Sequence, residues 1–301
     1  MADIALTAAQ RSSLLSLQQT QTLSDRTQTR LTTGKAVNSV VDDAVNFFRA
    51  QALSDRGSDF ALRRDEIDQG ISSLSTALQA VEATDNLLSQ LQGIVEAARS
   101  QSTAERQSAT TQFIEVGKQI SELIEDASFA GLNLLNSTNS TLDVSFGIRT
   151  SSRLQVNGFN LNATAASATN GSIFTVNAFT SNNSTFTISN FGVSSGSFTS
   201  FGADNSNVSF ATTAVQRIAT GISNLRARGA SLGANVAILQ TRLDFTDAYV
   251  NELQVGSDKL TLADLNEEGA NLVALQTRQQ LGIQSLAISG QQQQSILALL
   301  N

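Results

Sequence analysis

Four residue types are missing from this chain: it has no cysteine, no histidine, no proline and no tryptophan, and it carries one methionine and one tyrosine. Without histidine or cysteine, the commonest general base, the thiol nucleophile and the usual transition-metal ligands are all unavailable, which leaves catalysis few parts to work with. The absence of proline removes interior helix kinks and slow cis/trans steps in folding. Without cysteine there are no disulfides, and a chain of 301 residues does not need them, so the compartment stays open. Basic side chains are the minority, 19 against 26 acids, for a net charge of -7. No Lys/Arg cluster offers a footprint for nucleic acid or an anionic membrane, and no window reaches the ~18 apolar residues that span a bilayer. The opening MADIALTAAQRSSLL lacks the basic start and long apolar run of a cleaved signal peptide, so any export is expected by another route. Charge of either sign is absent from Gln279 to Asn301.

What is present is periodicity, in a chain that is 41% hydrophobic. From Leu53, apolar residues recur every seventh position through Phe60, Ile67, Leu74, Val81, Leu88 and Val95, with Ile71 and Leu78 on the partner row before the stripe shifts to Leu91 and Ala98. That spacing predicts a long helix with a narrow buried face. A second helix is expected over about 104–128, with Phe113, Ile120, Leu123 and Ile124 inward, ended by Gly131. From Ala214 one row holds Val215, Ile222, Val236, Leu243 and Val250, and the other Ile218, Leu225, Leu232, Leu239 and Leu253, interrupted by Gly229 and Thr246. Two long stretches of matched length would pack antiparallel and bring the chain ends together.

Both ends are greasy and poor in charge. Leu265, Leu272, Leu286 and Leu300 differ by multiples of seven, with Ile283 and Leu297 on the companion row, which predicts one apolar seam on a helix. Gln291–Gln294 sits inside that register and is read as helix, since Gln is a fair helix former. Leu6, Leu14, Leu17 and Leu31 stand among Gln, Ser and Thr at the amino end. Neither end could bury its face alone, because an isolated helix has no apolar partner.

Between the helices, over about 137–210, Ser, Thr, Asn, Gly and Phe dominate and apolar residues alternate with period two. Leu142, Val144, Phe146 and Ile148 form one run, and Leu154 and Val156 lead to a turn expected at Asn157–Gly158 before Phe159 and Leu161. Phe174, Val176, Phe186, Ile188, Val208 and Phe210 extend the pattern. The expected fold is therefore mainly α, a long antiparallel coiled-coil-like helical rod built from both chain ends, with a small β-rich insert in the middle.

Two motifs invite a chemical reading. GVSSG at 192–196 has the GxSxG form of a nucleophile elbow, but no imidazole exists to activate Ser194 or Ser195 and no helix pattern follows. Asp42 and Asp43 are adjacent acids, but neighbours on a helix diverge by about 100° and no acid or Asn cluster completes a coordination shell. They read as caps for the helix that contains Leu53. No catalytic, cofactor or metal site is expected.

Residues 31–44, LTTGKAVNSVVDDA, resemble the LSSGxRxNSAxDDA signature of bacterial flagellins, and DQGISSLSTALQAVEATDNLL follows in kind. LADLNEEGANLVALQTRQQLGIQSLAISGQQQQSILALL is similar to the flagellin carboxyl-terminal helix in its alphaproteobacterial form. The resemblance covers about 1–135 and 211–301, and the Ser/Phe-rich centre carries no part of it. It implies a structural subunit of the flagellar filament, exported unfolded through the flagellum's own secretion apparatus. Three parts are implied: 1–42 with 260–301 as a terminal helical pair lining the inner tube, 43–136 with 211–259 as the rod domain, and 137–210 as a surface insert. Gly34, Asn38, Asp42 and Asp43 fall in the segment linking inner tube to rod. Subunit assembly is implied for Leu265, Leu272, Ile283, Leu286, Leu297 and Leu300, with Leu6, Leu14, Leu17 and Leu31 opposite them. Implied partners are further copies in a helical homopolymer, a filament cap protein, a hook-junction protein and an export chaperone, at an extracellular location. Gly93 and Val95 stand where flagellins sensed by the vertebrate innate receptor carry arginines, so weak or no activation of that receptor is expected. Two rivals share the layout: a hook–filament junction protein, and a secreted coiled-coil adhesin whose insert binds a surface ligand.

Overall fold

The computed structural model describes residues 8–147, 149, 151–161, 198 and 205–300. In chain order the elements are α1 (Ala8–Thr33), α2 (Ala44–Ala98), α3 (Thr103–Asp126), β1 (Ser128–Phe129), β2 (Leu132–Asn133), β3 (Thr141–Ser145), β4 (Arg153–Asn157), α4 (Asn205–Thr261) and α5 (Leu265–Leu300). The chain divides into two compact units, one of residues 1–58 with 249–301 and the other of residues 59–248. We call them the terminal unit and the central unit.

The central unit is built on the heptad rows. Ile67, Leu74, Val81, Leu88 and Val95 of α2 are buried, and so are Ile218, Leu225, Leu232 and Leu239 of α4. The two helices run antiparallel here. Asp85 pairs with Arg226, and the backbone of Gly70 lies against Leu239 while that of Gly229 lies against Val81. Thr246, an interruption in the apolar row, is buried with its hydroxyl donated to the Arg242 carbonyl at 2.8 Å, so it meets its own polar need. α3 adds Phe113, Ile120 and Ile124 to the same core, with Leu123 half-buried. It starts from a capping box: Ser102 Oγ accepts from Glu105 N, and Glu105 Oε2 accepts from Ser102 N at 2.8 Å. It stops where Asn133 Nδ2 donates to the carbonyls of Ile124 and Glu125.

Two small hairpins follow. β1 and β2 pair across Ala130 and Gly131, both at positive φ, as a two-residue turn requires. β3 pairs antiparallel with β4 from Thr141↔Asn157 to Ser145↔Arg153, so the reversal lies within 146–152 and not at Asn157–Gly158. Gly158 has another use. A Cβ there would lie 2.5–3.0 Å from the carbonyl oxygens of Ser137, Leu134 and Ser140, so only glycine fits. The strand then continues by bonding Phe159 N and Leu161 N to the Leu134 and Leu135 carbonyls. The hairpin leans on α2 where Gly70 leaves room for Val144, and on α4 where Arg242 lies 5.1 Å from the Phe146 ring centroid. Val208 and Phe210 belong to α4, not to a strand. Their spacing to Ala211, Ala214 and Ile218 also has helical period, and it continues a long helix. Ile148, Phe174, Val176, Phe186, Ile188 and the GVSSG motif lie outside the described residues.

Candidate functional site: the terminal helical pair

α1 and α5 pack along each other in antiparallel register. Arg30 Nη1 lies 2.7 Å from Glu268 Oε1, Gln279 donates to the amide oxygen of Gln21, and Leu17 sits on Gly282, where an added Cβ would come within 2.8 Å of its Cδ2. The side chains that this contact buries are polar: Gln10, Thr20, Ser24 and Thr27 from α1, and Glu268 from α5. Gln10, Leu17, Ser24 and Leu31 repeat by sevens, as do Ser13, Thr20 and Thr27, so α1 presents a heptad seam made mostly of hydroxyls and amides. Thr20 donates its hydroxyl to the Ser16 carbonyl, which satisfies it within its own helix. Arg30 Nε is buried with no hydrogen-bond partner.

Many of the large apolar side chains face the other way. Leu14, Leu15 and Leu23 of α1 and Leu265, Val273, Leu281, Ile283 and Ile288 of α5 are all exposed. The leucine rows expected from the sequence are thus divided. Leu17, Leu31, Leu272 and Leu286 are half-buried, the last two on the row of Gln279, whereas Leu14, Leu265 and Ile283 lie outside the seam. A straight helix drifts by about 20° per heptad against a 3.5 repeat, so one row of sevens cannot stay on one face over the length of α5. Leu6 lies outside the described residues, as do the side chains of Leu297 and Leu300. The hydroxyl heptad of α1 was the sequence signal for the seam, and the leucines obscured it.

Where the pair joins the rest of its unit, the two connections between helices, α1 to α2 and α4 to α5, are stitched together. Gly34, at φ 70°, closes α1 by donating its N–H to the Arg30 carbonyl. Ala36 N and Val37 N donate to the Thr261 carbonyl, and Ala263 N donates to the Gly34 carbonyl at 3.0 Å. Asp43 caps α2, its Oδ1 accepting from Val45 N and Asn46 N at 3.0 Å, and Asp264 caps α5 in the same manner. Asp42 fixes the turn between α1 and α2. Its Oδ2 accepts from Asn38 N, Ser39 N and the Ser39 hydroxyl, and Arg26 lies 3.4 Å from Oδ1. Burial pushes that carboxyl up, but the N–H of Asn38, the hydroxyl and N–H of Ser39 and the charge on Arg26 together hold it below the usual carboxylate value. Asn38 Nδ2 donates to the Lys35 carbonyl. The four residues expected to form a linker therefore shape one hydrogen-bonded connection.

Among the described residues there is no group of three or more His, Cys, Asp or Glu able to hold a metal, and no helix is long and apolar enough to cross a membrane. What the arrangement can do is associate. A helix pair whose fully buried side chains are polar and whose outer face carries exposed leucine, isoleucine and valine would gain by being covered, at about 25 cal/mol per Å² of apolar surface removed from water.

Comparison with known proteins agrees on one family. The bacterial flagellin N-terminal helical region matches residues 4–140, and the bacterial flagellin C-terminal helical region matches residues 215–300. Flagellin FljN of Caulobacter vibrioides is 31% identical over 90% of this chain and 89% of its own length. A flagellin of Brucella melitensis is 26% identical over 99% of both chains. Among solved structures, a putative flagellar hook-associated protein from Vibrio parahaemolyticus has a similar fold, with a TM-score of 0.55 at 13% identity over 74% of this chain and 98% of that one.

Proposed function

The chain belongs to the bacterial flagellin family, and from that premise we propose that α1 and α5 are its polymerisation element, each subunit's outward leucines being covered by neighbouring copies. As a flagellin it is a structural subunit of the flagellar filament that self-polymerises, and not an enzyme. The observation that carries the polymerisation reading is the inverted terminal pair, with Thr20, Ser24, Thr27 and Glu268 inside and Leu23, Val273, Leu281 and Ile283 outside. Ordering a residue costs about 1–2 kcal/mol, which a polar seam does not repay in a lone chain. Burial against several neighbours does, so ordering and association of the ends are one event. Leu272, Leu286, Leu17 and Leu31 then set the pair, and Leu14, Leu265 and Ile283 meet other copies.

The reading extends to the life of the subunit. A chain without proline or cysteine has no prolyl step and no disulfide to delay folding after threading unfolded through a narrow exporter. A chaperone would shield the exposed ends before export, and cap and hook-junction proteins would meet the same surface outside the cell. Family membership gives the junction-protein and adhesin readings no support of their own.

Salt-induced polymerisation followed by negative-stain microscopy tests the proposal. The full chain should form filaments, and a chain lacking residues 265–301 should stay soluble and helical without forming any. Filaments from the shortened chain would overturn the assignment of α5.

A further inference from the structure

The connection between α1 and α2, together with the start of α2, holds apolar side chains out in solvent. Val40, Val41, Val45 and Phe48 are all exposed, Val41 at 95%. The turn that presents Val40 and Val41 is held by three hydrogen bonds to Asp42, and Phe48, on α2, is seated edge-on against Phe47, with ring centroids 5.7 Å apart at 81°. Val45, Phe48 and Arg49 stand three and four residues apart, so they share one helical face. Asp42 and Asp43 have their partners, whereas Arg49 makes no hydrogen bond or ion pair among the described residues. The result is an apolar knob with one free positive charge.

The central unit holds a counterpart. A groove of about 430 Å³ lies between α2 and α4, its floor made by Leu78, Val81 and Leu225, with Gly229 adding no side chain. Two acids line it. Asp85 is neutralised by Arg226, whose Nε and Nη2 reach its two oxygens at 3.0 and 3.1 Å, and Glu82 has no partner among the described residues. This is an apolar groove with one free negative charge.

We propose that the Val40–Phe48 knob of one copy docks into this groove of a second copy, with Arg49 of the first facing Glu82 of the second. The inference rests on the filament reading above and names a contact within it. The occupant is a second copy because this sequence itself carries the matching half, in apolar character and in residual charge. Knob and groove are different surfaces, so the contact is heterologous: it leaves a free knob and a free groove on every pair, and it propagates. A central aromatic anchor with a charge pair at its rim sets binding orientation and encounter rate.

The test is the seeded elongation rate of the full chain, read by light scattering at low salt for Arg49→Glu, Glu82→Arg, the double swap and Phe48→Ala. Both charges are exposed, so thermal melting should show every variant folded as the parent is. Each single reversal should slow elongation about tenfold at low salt and less at high salt, where screening weakens the pair. The double swap should recover to within about threefold of the parent, and Phe48→Ala should be slow at every salt concentration. Single reversals that elongate normally overturn the proposal. A double swap as slow as the singles also overturns it, since the groove then serves some other partner. If the unaltered chain does not elongate at all, the filament reading itself falls and this contact falls with it.

Discussion

The two units place their apolar residues in opposite ways. In the central unit Leu88, Leu91, Val95, Phe113, Ile120 and Ile124 are fully buried and most charged groups lie outside. In the terminal unit the buried apolar side chains, among the described residues, are Val37, Ala50 and Leu253, and none of them belongs to α1 or α5. The hydrophobic residues of those two helices are regularly spaced too, but many of their large members are exposed. Burial is thus completed inside one unit and deferred in the other. On the proposed reading the central unit completes its own core, and the terminal helices would gain most of their stability from contact with other molecules.

The largest effect should come from breaking the finished core. Phe113 is fully buried and meets Phe198 edge-on, with ring centroids 5.3 Å apart. Phe113→Ala should cost about 3–5 kcal/mol in denaturant unfolding, because it removes transfer energy and leaves a cavity. Leu281→Ala on α5 should leave the same unfolding curve unchanged and should slow polymerisation instead. Equal losses of monomer stability from the two changes would erase the contrast between the units.

A smaller effect is expected at the ion pair that fixes the register of the terminal helices. Glu268→Gln keeps the shape of the side chain but leaves Arg30 facing a neutral amide beside its own unpartnered Nε. Arg30 remains 25% exposed, so the loss should be about 1–2 kcal/mol, below that of a fully buried pair. Hydrogen exchange in the assembled filament should show it as faster exchange along α1 and α5, with α3 untouched. Faster exchange in α3 with α5 unchanged would mean that the pair stabilises the other unit.

Legibility in the sequence follows the same divide. The rows Ile67–Val95 and Ile218–Leu239 could be read directly, since each helix finds its partner within its own chain and an apolar stripe then means a core. The terminal leucines misled in part. Leu265 and Ile283 are exposed, and the face that α1 offers α5 is defined by Gln10, Ser13, Thr20, Ser24 and Thr27, residues that hydropathy counts as surface. The knob was hidden too, because exposure of Val41 depends on a turn closed by Asp42, and spacing alone does not reveal it. At Asn157–Gly158 a strong turn signal was spent on something else: the glycine is required by three nearby carbonyl oxygens and not by a chain reversal.

The smallest effect concerns that turn and depends on pH. The Asp42 carboxyl is held below its ordinary value in the folded chain, where it accepts from Asn38, Ser39 and the Ser39 hydroxyl beside Arg26. A group with a lowered folded value binds its proton less readily folded than unfolded. Its contribution is therefore complete above the unfolded carboxylate value of about 3.9 and fades as the pH falls through the lower folded value. The turn should hold unchanged from neutral pH down to mildly acidic solution and loosen only in stronger acid, which amide exchange at Asn38 and Ser39 can follow. Asp42→Asn should show the loosened turn already at neutral pH, since an amide cannot supply the charge that gathers those three donors and Arg26. Because Val40 and Val41 ride on this turn, the same variant should blunt association more than it lowers the melting temperature, which separates the presentation of an apolar surface from the burial of one.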